Sequence, residues 1–174
     1  MERTFVITFE GALVIDADGL FALGRIETMG TTFIDRERPA VLTPHPGEFA
    51  ALTGMTIADI EASRVEVARE FATKHNVVLV LNGAPTVVAL PGGHVYLNGS
   101  GNEGMGTGGM GDVLTGIISA LIGQGLPESR AAVLGVFLHG NAADRLHEVK
   151  PFSFTPSEVA RVIGISIQAL RTAG

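Results

Sequence analysis

Gly99-Ser100-Gly101-Asn102-Glu103-Gly104-Met105-Gly106-Thr107-Gly108-Gly109-Met110-Gly111-Asp112 decides how this chain is read, because it leads out of a short apolar strand and into a helix. The chain holds 23 glycines in 174 residues, and eight of them fall between Gly99 and Gly116. With no Cβ atoms in the way, several backbone N–H groups can converge at the start of the following helix, where the macrodipole also favours an anion. Phosphate suits such a loop; a flexible glycine hairpin with no ligand is the plainer alternative. A P-loop is excluded, since no lysine follows the glycines and the only lysines are Lys74 and Lys150. The dinucleotide pattern G-x-G-x-x-G fits at Gly104, Gly106 and Gly109 and again at Gly106, Gly108 and Gly111, a doubling that glycine density alone produces.

Asp112 is the informative residue. A permanent carboxylate beside bound pyrophosphate is unfavourable unless a metal or a chemical step uses it. Phosphoryl transfer does: the amides stabilise charge on the moving phosphoryl oxygens while the acid takes a proton from an attacking hydroxyl. Asp112 is therefore the candidate base. Its alternative is a helix-start acid paired with the macrodipole.

Working outward, short apolar runs alternate with helical patterns. Ala12–Ile15 reads as a strand ending in Asp16-Ala17-Asp18-Gly19, and Ala40–Leu42 as a strand ending in Thr43-Pro44-His45-Pro46-Gly47-Glu48, after which a helical pattern starts. Residues Thr56 to His75 read as one helix, with Thr56 and Asp59 placed to cap it. The run Val77–Leu81 is a strand covered on both faces, and Thr86–Leu90 with His94–Leu97 form a hairpin across Pro91-Gly92-Gly93. Asp112–Leu121 and Arg130–Leu146 are further helices, and Thr155-Pro156-Ser157-Glu158 opens a last one. The alternation predicts an α/β domain with a mostly parallel sheet and helices on its faces. Ligands in such sheets bind outside the carboxyl ends of the strands, where these polar turns fall.

Composition narrows the class. With 46% hydrophobic and 17% charged residues, the chain is expected to fold as one globular unit. Zero cysteines exclude thiolate nucleophiles, disulfides and cysteine-held metals. A net charge of −6 with 12 scattered basic residues argues against a nucleic-acid surface. No apolar run reaches membrane-spanning length, and Met1-Glu2-Arg3-Thr4 leads into no signal-type region, so a cytoplasmic protein free of the membrane is expected.

Three motifs in order, Leu42–Glu48, Gly101–Gly116 and His139-Gly140-Asn141-Ala142-Ala143-Asp144, resemble the ADP- or ATP-dependent NAD(P)H-hydrate dehydratases. The resemblance runs from about Val14 to the C-terminus. It implies a ribokinase-like, three-layer αβα fold, here one partial domain over 1–174 lacking its N-terminal part, so that a second copy or a partner chain is expected to cover exposed sheet. It further implies repair of (S)-NADHX or NADPHX, the hydrated nicotinamide cofactors. ADP or ATP is the co-substrate, Mg²⁺ the metal, and AMP with phosphate the products when ADP is used. Carried over by position, Asp112 is the catalytic base and contacts the substrate together with His45. Asn82, Gly83, Ala84, Pro85 and Thr86, with Gly108, Gly109 and Gly111, bind the nucleotide, and Glu48 faces the metal through water.

Two positions depart from the family pattern. Asn82 stands where lysine is usual, removing a cation near phosphate, and Met110 replaces a small hydroxyl residue in the loop. Asp16 and Asp18 form a family-like Asp-Ala-Asp segment that either lines the cleft or merely ends a strand. His139 is expected to be packed and hydrogen-bonded in its helix; His75 and His94 read as surface or turn residues, and His147 lacks the acidic partners of a zinc motif. The other readings weighed are a small-molecule kinase of the same fold and a non-catalytic nucleotide-binding subunit.

Overall fold

The computed structural model describes residues 6, 8–29 and 33–173; the N-terminal stretch Met1–Thr4 lies outside them. Five strands form one sheet in chain order: β1 (Val14–Ile15), β2 (Val41–Leu42), β3 (Val78–Leu81), β4 (Thr86–Ala89) and β5 (Val95–Asn98). β1, β2 and β3 pair in parallel, and β3–β4 and β4–β5 are antiparallel. Four strands thus point one way and β4 alone runs back. The hairpin turns at Pro91-Gly92-Gly93, where Gly93 takes φ +83° and its N–H donates to the Leu90 carbonyl at 2.9 Å.

Side-chain alternation on the strands divides the core. Leu42, Leu79, Leu81, Val87 and Ala89 join one apolar layer. Val41, Val78, Val80 and Val88 join the other. The first layer is closed by α1 (Asp18–Leu23), α2 (Pro46–Thr53), α3 (Ile57–Ala62) and α4 (Arg64–His75) through Leu20, Phe49, Leu52, Ile60, Ala68 and Phe71. Phe49 meets Phe71 edge-on at 5.0 Å between ring centres, and burying such a ring contributes about 2 to 3 kcal/mol. The second layer is closed by α5 (Met110–Gly123) and α6 (Glu128–Val149) through Leu114, Ile118, Ala131, Ala132 and Val136. With α7 (Pro156–Ala173) packed along α6, the result is the expected three-layer arrangement of the ribokinase-like fold.

The helix read from Thr56 to His75 is two helices. Thr56 caps the first as expected, its Oγ1 accepting from the Asp59 N–H at 3.1 Å. Ser63 then leaves helical geometry at φ −142°, ψ 41°, and α4 starts at Arg64. The apolar period passes through the break because Ile60, Ala68 and Phe71 still face one core, so periodicity cannot reveal it. α1 lies where the sequence reading placed only a strand end. His75 is 8% exposed, against the expectation of a surface position: its ring stacks at 4.7 Å from Phe71, on the core face of α4. Burial lowers its pKa, with the neighbouring Lys74 charge adding to the effect.

Candidate active site

One cleft of about 1140 Å³ opens at the edge of the sheet where β1, β2, β3 and β5 end and β4 begins. Its lining includes Asp16, Thr43, His45, Glu48, the turn Asn82–Thr86, most of the glycine loop and Asp112. Every site residue proposed from sequence except Gly108 is among those lining it. Gly108 lies within the same loop, where a Cβ would meet nothing within 4 Å.

Gly109 makes the turn into α5. It takes φ +91° as the N-cap, a conformation costly for residues with a Cβ, and no side chain caps the helix. The N–H groups of Gly108, Gly109, Gly111 and Asp112 find no acceptor among the described residues, as expected of the first turn of a helix that no side chain caps. Asp112 is exposed in the cleft, and its carboxylate has no hydrogen-bond or ion-pair partner among the described residues. Asp16 accepts from Thr115 Oγ1 at 2.9 Å, joining the end of β1 to α5 across 99 residues. Of the Asp16–Asp18 pair only Asp16 lines the cleft; Asp18 starts α1.

The loop itself is held from α6, through contacts of Gly140 and Asp144 in the His139–Asp144 motif, to which the sequence alone assigns no such role. Asp144 accepts from the Gly101 N–H at 2.9 Å and from Asn102 Nδ2 at 3.0 Å. Ser100 Oγ donates to the Phe137 carbonyl at 3.1 Å. Gly140 lets the two segments touch, since a Cβ there would lie 2.6 Å from the Ser100 carbonyl carbon. Met110 does not disturb the loop: it is buried with Ala142, Ala143, Phe154 and Val159 beneath it, so its bulk anchors the start of α5.

His45 is the N-cap of α2. Its Nδ1 accepts from the Gly47 and Glu48 N–H groups at 3.0 and 3.3 Å, while Glu48 Oε2 accepts from the His45 N–H at 2.9 Å. This is a capping box with histidine in the role usually taken by serine or threonine. Accepting at Nδ1 places the proton on Nε2, which lies 3.4 Å from Glu48 Oε1. Both Glu48 oxygens are therefore engaged by His45. No group of three acidic or histidine side chains able to hold a metal occurs among the described residues.

Asn82 turns inward. Its Nδ2 donates to the Thr43 carbonyl at 2.7 Å and its backbone N–H to the Pro44 carbonyl at 2.9 Å. It thus ties the β3 turn to the β2 turn instead of replacing a lysine's charge.

His139 is 6% exposed on the cleft floor, and its Nε2 is buried with no hydrogen-bond partner. It is packed as expected but not hydrogen-bonded at that nitrogen. Burial lowers its pKa to about 4 from the ordinary 6.5. The unfolded chain binds the proton first as pH falls, so this group's contribution is complete above pH 6.5 and lost on acidification toward 4. The loss amounts to about 3 kcal/mol. Urea unfolding of the wild type between pH 7 and 4 should show this decline, and His139→Gln should flatten it. A profile unchanged by His139→Gln would refute the assignment.

A donor-rich helix start, an unpaired acid beside it and two polar turns meet across one cleft of an α/β protein of the ribokinase-like class. Residues 3–164 match the family model described as NAD(P)H-hydrate dehydratase, and the chain belongs to that family. It is 52% identical over 131 residues to the bifunctional NAD(P)H-hydrate repair enzyme Nnr of Moorella thermoacetica, covering 75% of this chain and 24% of that one. It is 41% identical over 136 residues to the ADP-dependent (S)-NAD(P)H-hydrate dehydratase of Neisseria meningitidis, covering 78% and 46%. Among solved structures, the ADP/ATP-dependent NAD(P)H-hydrate dehydratase of Bacillus subtilis, co-crystallised with ATP and Mg²⁺, superimposes with TM-score 0.84 at 32% identity. That match covers 94% of this chain and 57% of the other. The chain spans between about a quarter and a half of the length of the two curated relatives.

Proposed function

We propose that this chain takes part in the nucleotide-dependent dehydration of (S)-NADHX and NADPHX to NADH and NADPH, with ADP or ATP as co-substrate. The observation that carries this reading is the unpaired Asp112 carboxylate, exposed in the cleft beside the acceptor-free N–H groups of Gly108, Gly109, Gly111 and Asp112 itself. The terminal phosphate rests on those amides. The hydroxyl of the hydrated ring, placed by His45 and Asp112, gives its proton to Asp112 as its oxygen bonds to phosphorus and the bond to the nucleotide's bridging oxygen breaks. The ring nitrogen's lone pair then expels phosphate from the adjacent carbon, and loss of a proton from the next carbon restores the double bond. Phosphate leaves where hydroxide would not, which is why a nucleotide is consumed.

The turn Asn82–Thr86 takes the nucleotide side of the cleft. Glu48, its oxygens held by His45, is the residue that would face a magnesium ion through water, and the ion would supply charge neutralisation on the nucleotide's phosphates. Among the described residues, no helix is long and apolar enough to cross a membrane. Association with a second copy or a partner chain belongs to the same proposal, with Phe21, Val149 and Phe152, each more than 70% exposed, available to it.

The test is recovery of NADH absorbance from hydrated NADH with ADP, with ATP and with neither. Recovery matched by phosphate release, and dependent on the nucleotide, is the expected result. ADP binding without turnover on any hydrated cofactor would leave a nucleotide-binding subunit and refute the dehydratase.

A further inference from the structure

The turn from β3 to β4 is held from behind by one side chain. Arg64 Nη2 donates to the carbonyls of Leu81, Asn82 and Pro85 at 3.1, 3.0 and 3.2 Å. Its Nη1 donates to Glu61 Oε1 at 2.7 Å, and the side chain is 11% exposed. Gly83 allows this approach: at φ +149° it presents no Cβ, and one built there would run into the guanidinium. The break at Ser63 starts α4 at Arg64 and so sets this arginine at the helix end nearest the turn.

With three carbonyls of the turn drawn to one side, the N–H groups of Gly83 and Ala84 are left without acceptors among the described residues, and both residues line the cleft. Three carbonyls of the turn are taken by Arg64, and two amide donors in the cleft wall are not taken by the protein. A charged donor forms stronger hydrogen bonds than a neutral one and fixes direction as well. Asn82, tied to Thr43 and Pro44, supplies no charge here, so the fixed amides are what the turn offers to an anion or a nucleobase.

We propose that Arg64 is the positioning residue of the Asn82–Thr86 turn, holding its amide donors toward the cleft so that nucleotide binding depends on it while binding of the hydrated cofactor does not. The nucleotide half rests on the function proposed above; the fixing of the turn does not.

Two readouts separate them. Hydrogen exchange on ligand-free protein should accelerate at least about tenfold across 82–86 in Arg64→Ala, most clearly at the Asn82 amide bonded to Pro44, with exchange in β3 unchanged. Calorimetric titration with ADP and ATP should show affinity about tenfold weaker, with KM for the hydrated cofactor within about twofold, and Arg64→Lys should fall between Arg64→Ala and the wild type. Unchanged exchange at 82–86, or equal weakening toward nucleotide and hydrated cofactor, overturns the proposal. Wild type that binds neither ADP nor ATP defeats the nucleotide half, while the exchange result still decides the role of Arg64. Should Arg64→Ala not fold, Arg64→Gln, which keeps a long polar side chain without the charge, is read in the same way, with the same results supporting or overturning the proposal.

Discussion

Asp112→Asn is expected to lower kcat for nucleotide-dependent NADH recovery by about 1000-fold or more while leaving the fold and the thermal midpoint nearly unchanged. General-base assistance contributes about 100- to 10,000-fold, and the amide that replaces the carboxylate cannot accept the hydroxyl's proton. Little stability should be lost, because the carboxylate is exposed in the cleft and makes no hydrogen bond or ion pair among the described residues. Nucleotide affinity should hold or rise slightly, since a negative charge beside the phosphates is removed. Steady-state kinetics beside calorimetric ADP binding would show it. An Asp112→Asn protein within tenfold of wild-type kcat would remove Asp112 from the chemistry and return it to the role of a helix-start acid.

Gly140→Ala is expected to act on structure and binding together. Its Cβ would lie 2.6 Å from both the carbonyl carbon and the carbonyl oxygen of Ser100, and these are backbone atoms that cannot rotate away. Either the glycine loop lifts or α6 shifts, at a cost of about 1 to 3 kcal/mol. Lifting the loop also strains the Asp144 bonds to Gly101 and Asn102, so the amide cluster should lose its aim and nucleotide affinity should fall by at least about tenfold. Gly116 in α5 is the contrast. A Cβ there meets nothing within 4 Å, and Gly116→Ala should stabilise by up to about 1 kcal/mol through helix propensity. Chemical denaturation of the two variants should shift in opposite directions, and a Gly140→Ala protein as stable as wild type would refute the tight contact.

The parts of this molecule legible in its sequence are those dictated by local pattern. Val77 to Leu81 reads as a doubly covered strand because every side chain in it is apolar, and it is fully buried. The glycine density announces a loop that needs bare amides, and Thr155-Pro156-Ser157-Glu158 announces a helix start, confirmed by Thr155 Oγ1 accepting from the Glu158 N–H at 3.3 Å. What escaped the reading depends on partners far apart in the chain. Asp144 and Gly101 are 43 residues apart, and Arg64 and Pro85 are 21 apart. One trace was present: an acid and a bare glycine four residues apart on an otherwise small-residue helix, Gly140 to Asp144, have one face in common, the pattern of a helix that receives another backbone. His45 hid for a different reason. Histidine is not among the usual capping residues, so His45 enters the reading only through the family resemblance, as a substrate contact, with no hint of the helix start it caps.

The reversed direction of β4 has a practical outcome. Because that strand runs away from the cleft and β5 returns, the Pro91-Gly92-Gly93 corner sits at the opposite rim of the sheet, with Gly92 and His94 open to solvent. A tag or fluorophore grafted at that corner would travel with the hairpin whose start, Thr86, lines the cleft, yet remain a full strand length away from it.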